Sequence, residues 1–182
     1  MHWKQLSSKY LFRDNWLKLR ADSCERPDGK IIEPYYVYEF TDWVTAVAVT
    51  KDQKIILIRQ YRHALGEVCL EIPGGCVDPS DSNYEQACAR ELLEETGYRF
   101  EQFEFLCNTS ANPSTNNNLM HIFLATGGEK VQDQQLDHGE DIEVLLYTID
   151  EVKVLLREKK MIQSMHVTAL FYGLEKMGIL SY

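Results

Sequence analysis

The sequence predicts an α+β fold, in which a mixed β-sheet lies between helices as an α/β/α sandwich and an N-terminal β-hairpin precedes the sheet. Three observations lead to this prediction. Strand-like segments lie on both sides of one central helical segment, two more helical segments follow the last strand, and apolar and polar residues partly alternate near the N-terminus. Each element must bury an apolar face, so strands that flank a helix in the chain favour a sheet covered by helices.

The first predicted element is the hairpin, in which segments 16–25 and 31–40 flank the turn sequence Arg26-Pro-Asp-Gly-Lys30. Pro, Asp and Gly each favour a tight turn for a different conformational reason. A lone hairpin is only marginally stable in water. We therefore expect residues 1–41 to lie at the interface of a homodimer and to contribute to the partner's site.

The elements of the sheet follow in order along the chain. Segments 43–50 and 54–62 are rich in Val, Ile and Ala and are joined by a short polar stretch, so they predict a second hairpin. The later elements are strands at 103–108, 119–126 and 142–149, a helix capped by Asp150 that reaches about Lys160, and a helix capped by Ser164 that ends at Met177.

Composition limits the classes of function. A chain of 182 residues corresponds to a single domain, 1–182, and its formal net charge of −9 disfavours binding to nucleic acids or anionic membranes. The five cysteines include no Cys-x-x-Cys pair, which argues against a disulfide framework or a zinc site and favours a reducing compartment. Since the N-terminus has no apolar run, we expect a cytoplasmic protein.

Most of the candidate functional residues lie in or beside the central helical segment, which runs from Tyr84 to Glu95. Gly97 is a residue type that commonly ends a helix. Glu91, Glu94 and Glu95 share a face of this helix at spacings of three and four residues. They lie in its last turn, where the helix dipole disfavours negative charge. A hard divalent cation with oxygen ligands would neutralise them. The alternative is a solvated acidic helix end.

Upstream of that helix, the stretch Ile72-Pro-Gly-Gly75 is too rich in Pro and Gly to continue a strand, so it predicts a loop. Glycine permits close approach of the backbone, and such a loop can direct carbonyl oxygens at a metal ion. Clustered glutamates suit Mg²⁺ or Mn²⁺ and suit Zn²⁺ poorly. The loop and the helix together therefore predict a metal site.

These residues resemble the Nudix box, whose second half is matched at every specified position by the stretch from Arg90 to Tyr98. The first half departs from the pattern, because fourteen residues separate Gly75 from Arg90 where the signature has thirteen. Counting from either end places Asp81 or Ser82 where the family has a glutamate, and Asp81 is the better chemical substitute.

The resemblance implies a fold, a chemistry and a ligand set. Nudix proteins place a mixed sheet between helices and hydrolyse diphosphate bonds with the help of magnesium or manganese. By analogy, Glu91, Glu94, Glu95 and the carbonyl of Gly75 would hold the metal, and Glu94 and Glu95 would act in catalysis. Arg90 resembles the family's structural arginine, which orients the glutamates by pairing with an acid.

A further acid outside the box serves ADP-ribose pyrophosphatases of this family as a metal ligand or general base. Glu140 occupies a similar position here, in the stretch His138-Gly-Glu-Asp-Ile-Glu143, and is the first candidate. Glu143 and Asp141 follow. The alternative is an acidic turn at the surface with no part in catalysis.

Substrate contacts are expected around the strand that precedes the box. Arg59 and Arg62 offer forked donors for phosphate oxygens, and Glu71 resembles a substrate-side acid of the same relatives. Alternatively, these arginines are charges at a strand edge that pair with Glu71 or Glu67, and Glu71 is the partner of Arg62. Pro113 resembles a marker of the ADP-ribose subgroup. Trp43 could stack on a base, although aromatic side chains in strands more often belong to the core.

Tyr36 is a second candidate for stacking on a base, with the same alternative. His63, His121 and His166 match no ligand spacing and are interpreted as structural.

The predicted activity is hydrolysis of ADP-ribose or a related nucleoside diphosphate sugar to a nucleoside monophosphate and a sugar phosphate. Two alternatives stay open. One is a Nudix hydrolase of dinucleoside polyphosphates or RNA caps, which the N-terminal hairpin and Pro113 disfavour. The other is a domain that binds ADP-ribose as a sensor without hydrolysing it, which the intact glutamates of the box disfavour.

Overall fold

The computed structural model describes residues 1–180, and the chain divides into two compact units. The smaller unit contains residues 1–41 and 110–119, and the larger one contains residues 42–109 and the chain from residue 120. None of the helices within the described residues combines the length and the apolar character that crossing a membrane requires.

The smaller unit is a three-stranded antiparallel sheet of β1 (Lys4–Arg13), β2 (Lys18–Glu25) and β3 (Ile31–Glu39), in that order. Strands β2 and β3 form the predicted hairpin, and its turn is closed by a hydrogen bond from the Arg26 N–H to the Lys30 carbonyl at 2.9 Å. Strand β1 was not predicted, because its apolar residues do not alternate regularly with polar ones.

Within residues 42–109 and 120–180, the larger unit contains eight strands and three helices. They are β4 (Trp43–Thr50), β5 (Lys54–Arg62), β6 (Glu67–Glu71), β7 (Gly74–Cys76), α1 (Tyr84–Thr96), β8 (Tyr98–Arg99), β9 (Gln102–Thr109), β10 (Met120–Lys130), β11 (Ile142–Thr148), α2 (Ile149–Arg157) and α3 (Ser164–Lys176). The sheet runs β11-β5-β4-β10-β8, with β6 beside β5, β7 beside β4 and β9 beside β10. Strands β4 and β10 are parallel and the other pairs are antiparallel, so the sheet is mixed, as predicted.

Side chains that alternate along the central strands form one core on each face of this sheet. On β4, Val47 and Val49 belong to the core that includes buried residues of α2 and α3, whereas Val44 and Ala46 belong to the core that includes the buried face of α1. Alternation of this kind arises because successive side chains of a strand point to opposite faces. The predicted α/β/α sandwich is thus confirmed.

Two predicted helix caps were wrong. Helix α2 is capped by Thr148, whose hydroxyl accepts from the Glu151 N–H while the Glu151 carboxylate accepts from the Thr148 N–H. This reciprocal capping box leaves Asp150 in the first turn, where an acid is favourable but caps nothing. Helix α3 is capped by Gln163, one residue before the predicted Ser164.

Candidate active site

Helix α1 is capped at both ends, and of the two caps the sequence predicted Gly97 but not Asn83. The Asn83 side chain accepts from the Gln86 N–H at 2.8 Å, and Gly97 ends the helix in the left-handed conformation with φ of 76°. The face that buries Ala87 against the sheet also carries Glu91 and Glu95, since these positions lie four residues apart. Two of the three clustered glutamates are therefore buried, with exposed fractions of 9% and 3%.

The glycine-rich stretch before α1 is a short strand rather than the predicted loop. Gly74–Cys76 forms β7, which pairs with β4. The pairing is possible because Gly74 has φ of 151° and a Cβ there would collide with the backbone of β4. The Gly74 N–H donates to Glu95 Oε2 at 2.8 Å, and a Cβ on Gly75 would collide with the Glu91 carboxylate. The glycine-rich stretch therefore contacts α1 from strand β7 rather than from a loop.

The electrostatics of this cluster favour the protonated carboxyl groups. Burial raises the pKa of Glu95 to about 8 against the opposing hydrogen bond from Gly74, and the charges of Glu91 and Glu140 raise it further. Burial also raises the pKa of Glu91 to about 7, although Arg90 counteracts it. A cation between these carboxylates would reverse both shifts, because it stabilises the charged forms.

The donor set suits a hard divalent cation, since Glu91 and Glu95 bring carboxylate oxygens next to the backbone of Gly74 and Gly75. Within residues 1–180, however, no three acidic, histidine or cysteine side chains are already arranged as a closed metal site. Glu94 is half-buried and pairs with Arg90 at 2.9 Å.

Arg90 ties the loop to the helix. Its Nε and Nη2 donate to the two oxygens of Asp81 at 3.1 and 2.9 Å, and Nη2 also donates to the Cys76 carbonyl at 3.0 Å. Its Nη1 donates to Glu91 at 3.0 Å and to Glu94 at 2.9 Å. Asp81 is thus the acid that pairs with Arg90, which is the arrangement expected of the family's structural arginine. Hydrogen bonding to Arg90 lowers the pKa of Asp81.

Among the acids predicted outside the box, Glu140 is the one that influences the cluster electrostatically. Its negative charge contributes to the raised pKa of both Glu91 and Glu95. It is half-buried, and its carboxylate accepts from the Asp137 N–H at 2.9 Å. Asp141 is exposed.

Glu143 lies directly opposite Arg59 in the pairing of β11 with β5, and the Arg59 Nε donates to its carboxylate at 2.8 Å. Both side chains are about half exposed, at 51% and 53%. Arg59 and Glu143 therefore form a surface ion pair across the sheet.

Arg62 pairs with Glu71, as the alternative interpretation of these residues anticipated. The Arg62 Nε donates to Glu71 Oε1 at 3.1 Å, and its Nη2 donates to Oε2. The Glu71 side chain is only 4% exposed, whereas that of Arg62 is 43% exposed. The charge of Arg62 counteracts the raised pKa of Glu95, so this pair lies within electrostatic reach of the acidic cluster.

The remaining residues that were predicted to contact substrate lie in different parts of the chain. Trp43 is half-buried and packs against the core that includes α2 and α3, as the alternative interpretation anticipated. Pro113 and Tyr36 are exposed residues of the smaller unit.

Sequence reasoning missed a cluster at the start of α1, where the rings of Tyr84 and His121 stack with centroids 3.5 Å apart. The Tyr84 hydroxyl donates to Asp42 at 2.9 Å, and His121 Nε2 lies 3.2 Å from the same oxygen. It also missed Gln134, which donates to the Glu95 carbonyl at 2.7 Å and to the Ile142 carbonyl at 3.0 Å. No local pattern identifies these residues, because their partners are distant in sequence.

Comparison with known proteins gives consistent matches over most of the chain. Residues 3–38 match the nucleoside diphosphate sugar hydrolase N-terminal domain, and residues 40–169 match the NUDIX domain. A methanol dehydrogenase activator of Bacillus methanolicus is 31% identical over 170 residues, which cover 93% of this chain and 91% of the relative. An ADP-ribose pyrophosphatase of Bacillus subtilis (strain 168) is 26% identical with the same coverage.

Among solved structures, the crystal structure of an ADP compounds hydrolase superposes with a TM-score of 0.84. The match covers 99% of this chain and 98% of that one at 23% sequence identity, so it establishes the fold.

Proposed function

Because the chain belongs to the Nudix family, as its match to the NUDIX domain over residues 40–169 establishes, we propose that it is a hydrolase of nucleoside diphosphate sugars. Its substrate is ADP-ribose or a related compound, and the products are a nucleoside monophosphate and a sugar phosphate. The observation that carries this proposal is the buried pair Glu91 and Glu95 against Gly74 and Gly75. The N-terminal match to a nucleoside diphosphate sugar hydrolase domain and the similarity to an ADP-ribose pyrophosphatase support the substrate class.

Nudix hydrolases generally need a divalent metal ion, and here Mg²⁺ or Mn²⁺ suits the oxygen donors. Glu91, Glu95, Glu94 and the Gly75 carbonyl would hold it. When bound, the ion neutralises charge on the diphosphate and acidifies water. Glu94 would have to exchange its contact with Arg90 to become a ligand.

Residues of the chain itself position the glutamates and accept a proton. Arg90 keeps Glu91 and Glu94 in place while anchored to Asp81 and the Cys76 carbonyl. Glu140 is half-buried beside the cluster and accepts the proton of the attacking water.

On the substrate side, Glu71 fixes the guanidinium of Arg62, whose remaining amino group, Nη1, is suited to a phosphate oxygen. Arg59 is a second phosphate donor if the substrate displaces Glu143 from it. Trp43 stays a candidate for stacking on the base, and Pro113 stays a substrate-side candidate as a marker of the ADP-ribose subgroup.

We further propose a homodimer formed through the smaller unit. All ten residues of β1 are exposed, and they include Leu6, Tyr10, Leu11 and Phe12. An exposed edge strand with large apolar side chains requires a cover.

A cytoplasmic location is proposed because the cysteines carry free thiols, as expected in a reducing compartment. They are Cys24, Cys69, Cys76, Cys88 and Cys107.

The decisive experiment incubates the protein with a panel of ADP-ribose, other nucleoside diphosphate sugars, a dinucleoside polyphosphate and a capped RNA. Mg²⁺ is supplied, and release of mononucleotide is measured. We expect turnover of ADP-ribose or another nucleoside diphosphate sugar that stops with excess chelator and returns with added metal. Preferential cleavage of the polyphosphate or the cap would contradict the proposed substrate class, and binding of ADP-ribose without hydrolysis would indicate a sensor.

A further inference from the structure

His166 of α3 is a buried histidine whose ring nitrogen Nδ1 has no hydrogen-bond partner in the described part of the chain. The residue is only 5% exposed. The nearest charged group is the Glu71 carboxylate, with Nδ1 and Oε2 4.0 Å apart. A buried polar atom without a partner is uncommon in folded proteins and calls for an explanation.

Glu71 connects this histidine to the active site. Its buried carboxylate is bound by Arg62, and its Oε2 lies 4.0 Å from His166 Nδ1 and 3.4 Å from Gln60 Nε2. Arg62 uses Nε and Nη2 for Glu71, so the orientation of the Glu71 carboxylate sets the direction in which the third nitrogen, Nη1, points. A planar guanidinium held by two bonds cannot turn independently of its acceptor.

The charge state of His166 fits a hydrogen-bond donor better than an ion-pair partner. Burial lowers the pKa of His166 to about 4, and the positive charge of Arg62 adds to this shift, while Glu71 opposes it. The imidazole is thus neutral at physiological pH and carries one N–H. Since Nδ1 is the nitrogen that faces a carboxylate, the tautomer with the proton on Nδ1 is favoured.

We infer that His166 is a positioning residue that acts on substrate through Glu71 and Arg62. A small movement of either side chain brings the Nδ1–H of His166 within hydrogen-bond distance of the Glu71 carboxylate. This bond fixes the orientation of the carboxylate, and with it the Arg62 guanidinium, while the free Nη1 binds a substrate phosphate oxygen. Without this donor, the Glu71 carboxylate can turn and carry Arg62 away from the phosphate. The inference rests on the proposed function, because it assumes a diphosphate substrate at Arg62.

The kinetic test uses His166→Phe, which keeps an aromatic ring and removes the donor, and His166→Asn, whose amide nitrogen lies near the position of Nδ1. Met165→Leu, a buried neighbour on α3, controls for general disturbance of the helix. We expect His166→Phe to raise the KM for ADP-ribose about tenfold with kcat changed less, since a hydrogen bond to a charged group contributes roughly that factor. His166→Asn should return KM to within about threefold of wild type.

Equal KM values for His166→Phe, Met165→Leu and wild type would overturn the inference. So would a His166→Asn variant no better than His166→Phe at matched thermal stability, because His166 would then matter only for packing. If the wild-type protein hydrolyses no nucleoside diphosphate sugar, the proposed function fails instead.

A second measurement needs neither activity nor a variant. Nitrogen chemical shifts of the His166 imidazole in ¹⁵N-labelled wild-type protein report which nitrogen carries the proton. We expect the Nδ1–H tautomer at neutral pH. An Nε2–H tautomer would place no donor toward Glu71 and would overturn the inference, even if His166→Phe does not fold.

Discussion

At the residue scale, Glu95 shows how a buried carboxyl group can oppose the stability of the protein that carries it. Its carboxyl group is buried and has a pKa raised to about 8, while that of an unfolded chain lies near the ordinary value of 4.5. Between these pH values the folded state binds more protons than the unfolded state. The free energy of unfolding of the metal-free protein therefore falls as pH rises through this range.

We predict that Glu95→Gln reduces turnover by roughly 10²-fold or more, because a metal ligand contributes several kcal/mol to catalysis. In excess chelator its melting temperature should equal or exceed that of wild type, and the advantage should grow from pH 5 to pH 8. Thermal unfolding and initial rates measure the two effects separately. Glu85→Gln, an exposed change in the first turn of α1, is the matched control. Near-wild-type turnover would mean that the metal is held elsewhere.

Glu140 permits a test of the acid outside the box. If it accepts the proton of the attacking water, Glu140→Gln should lower kcat by roughly 10²–10⁴-fold while substrate binding survives. Recovery at high Mg²⁺ would indicate a metal ligand instead. Asp141→Asn, at the exposed neighbouring acid, should leave kcat unchanged. Unaltered rates for Glu140→Gln across a magnesium titration would exclude Glu140 as the general base and leave Glu143 or the box glutamates as candidates.

At the element scale, the connection between β7 and α1 depends on Asp81. The sequence leaves open whether Asp81 replaces the glutamate that the first half of the box lacks. In the structure, its side chain is only 4% exposed and binds Arg90 through both oxygens. The aspartate side chain thus reaches Arg90 from the connection between β7 and α1.

We predict that Asp81→Asn lowers the free energy of unfolding by about 2 kcal/mol, the contribution of a hydrogen bond to a charged group. Because the folded state lowers the pKa of Asp81, this difference should persist above about pH 5 and shrink as pH falls through the folded pKa. Chemical denaturation at several pH values measures it. Asp78→Asn, an exposed acid of the same loop, serves as the control. A loss no larger than that of the control would show that Asp81 does not anchor Arg90.

At the scale of the whole molecule, the exposed apolar strand β1 leads us to expect a homodimer. Light scattering at micromolar concentration should give twice the mass of one chain. Phe12→Asp should shift the protein to monomer, because a charge would enter the proposed interface. Tyr172→Asp introduces the same charge at a similarly exposed aromatic residue of α3 and should not.

The proposal that the N-terminal segment contributes to the partner's site adds a second outcome, which is loss of activity in the monomeric variant. A wild-type monomer with full activity would contradict both expectations.

The sequence by itself determined the elements whose local signals are strong. The β2–β3 hairpin, strands β4 and β5, and helix α1 with Gly97 at its end follow from turn residues, alternation and helical periodicity, which act between close neighbours. The acidic cluster was predictable for the same reason, because spacings of three and four residues on one helix fix which side chains share a face.

Only the tertiary structure decided which partners these residues have. Strand β7 exists because β4 lies beside a glycine that has no Cβ, and Arg62 is held by Glu71 because β5 pairs with β6. The same holds for the buried residues Glu71 and His166, which lie close together in the structure although they are far apart in sequence. Such contacts depend on packing between elements distant in the chain, and neither propensity nor periodicity encodes that packing.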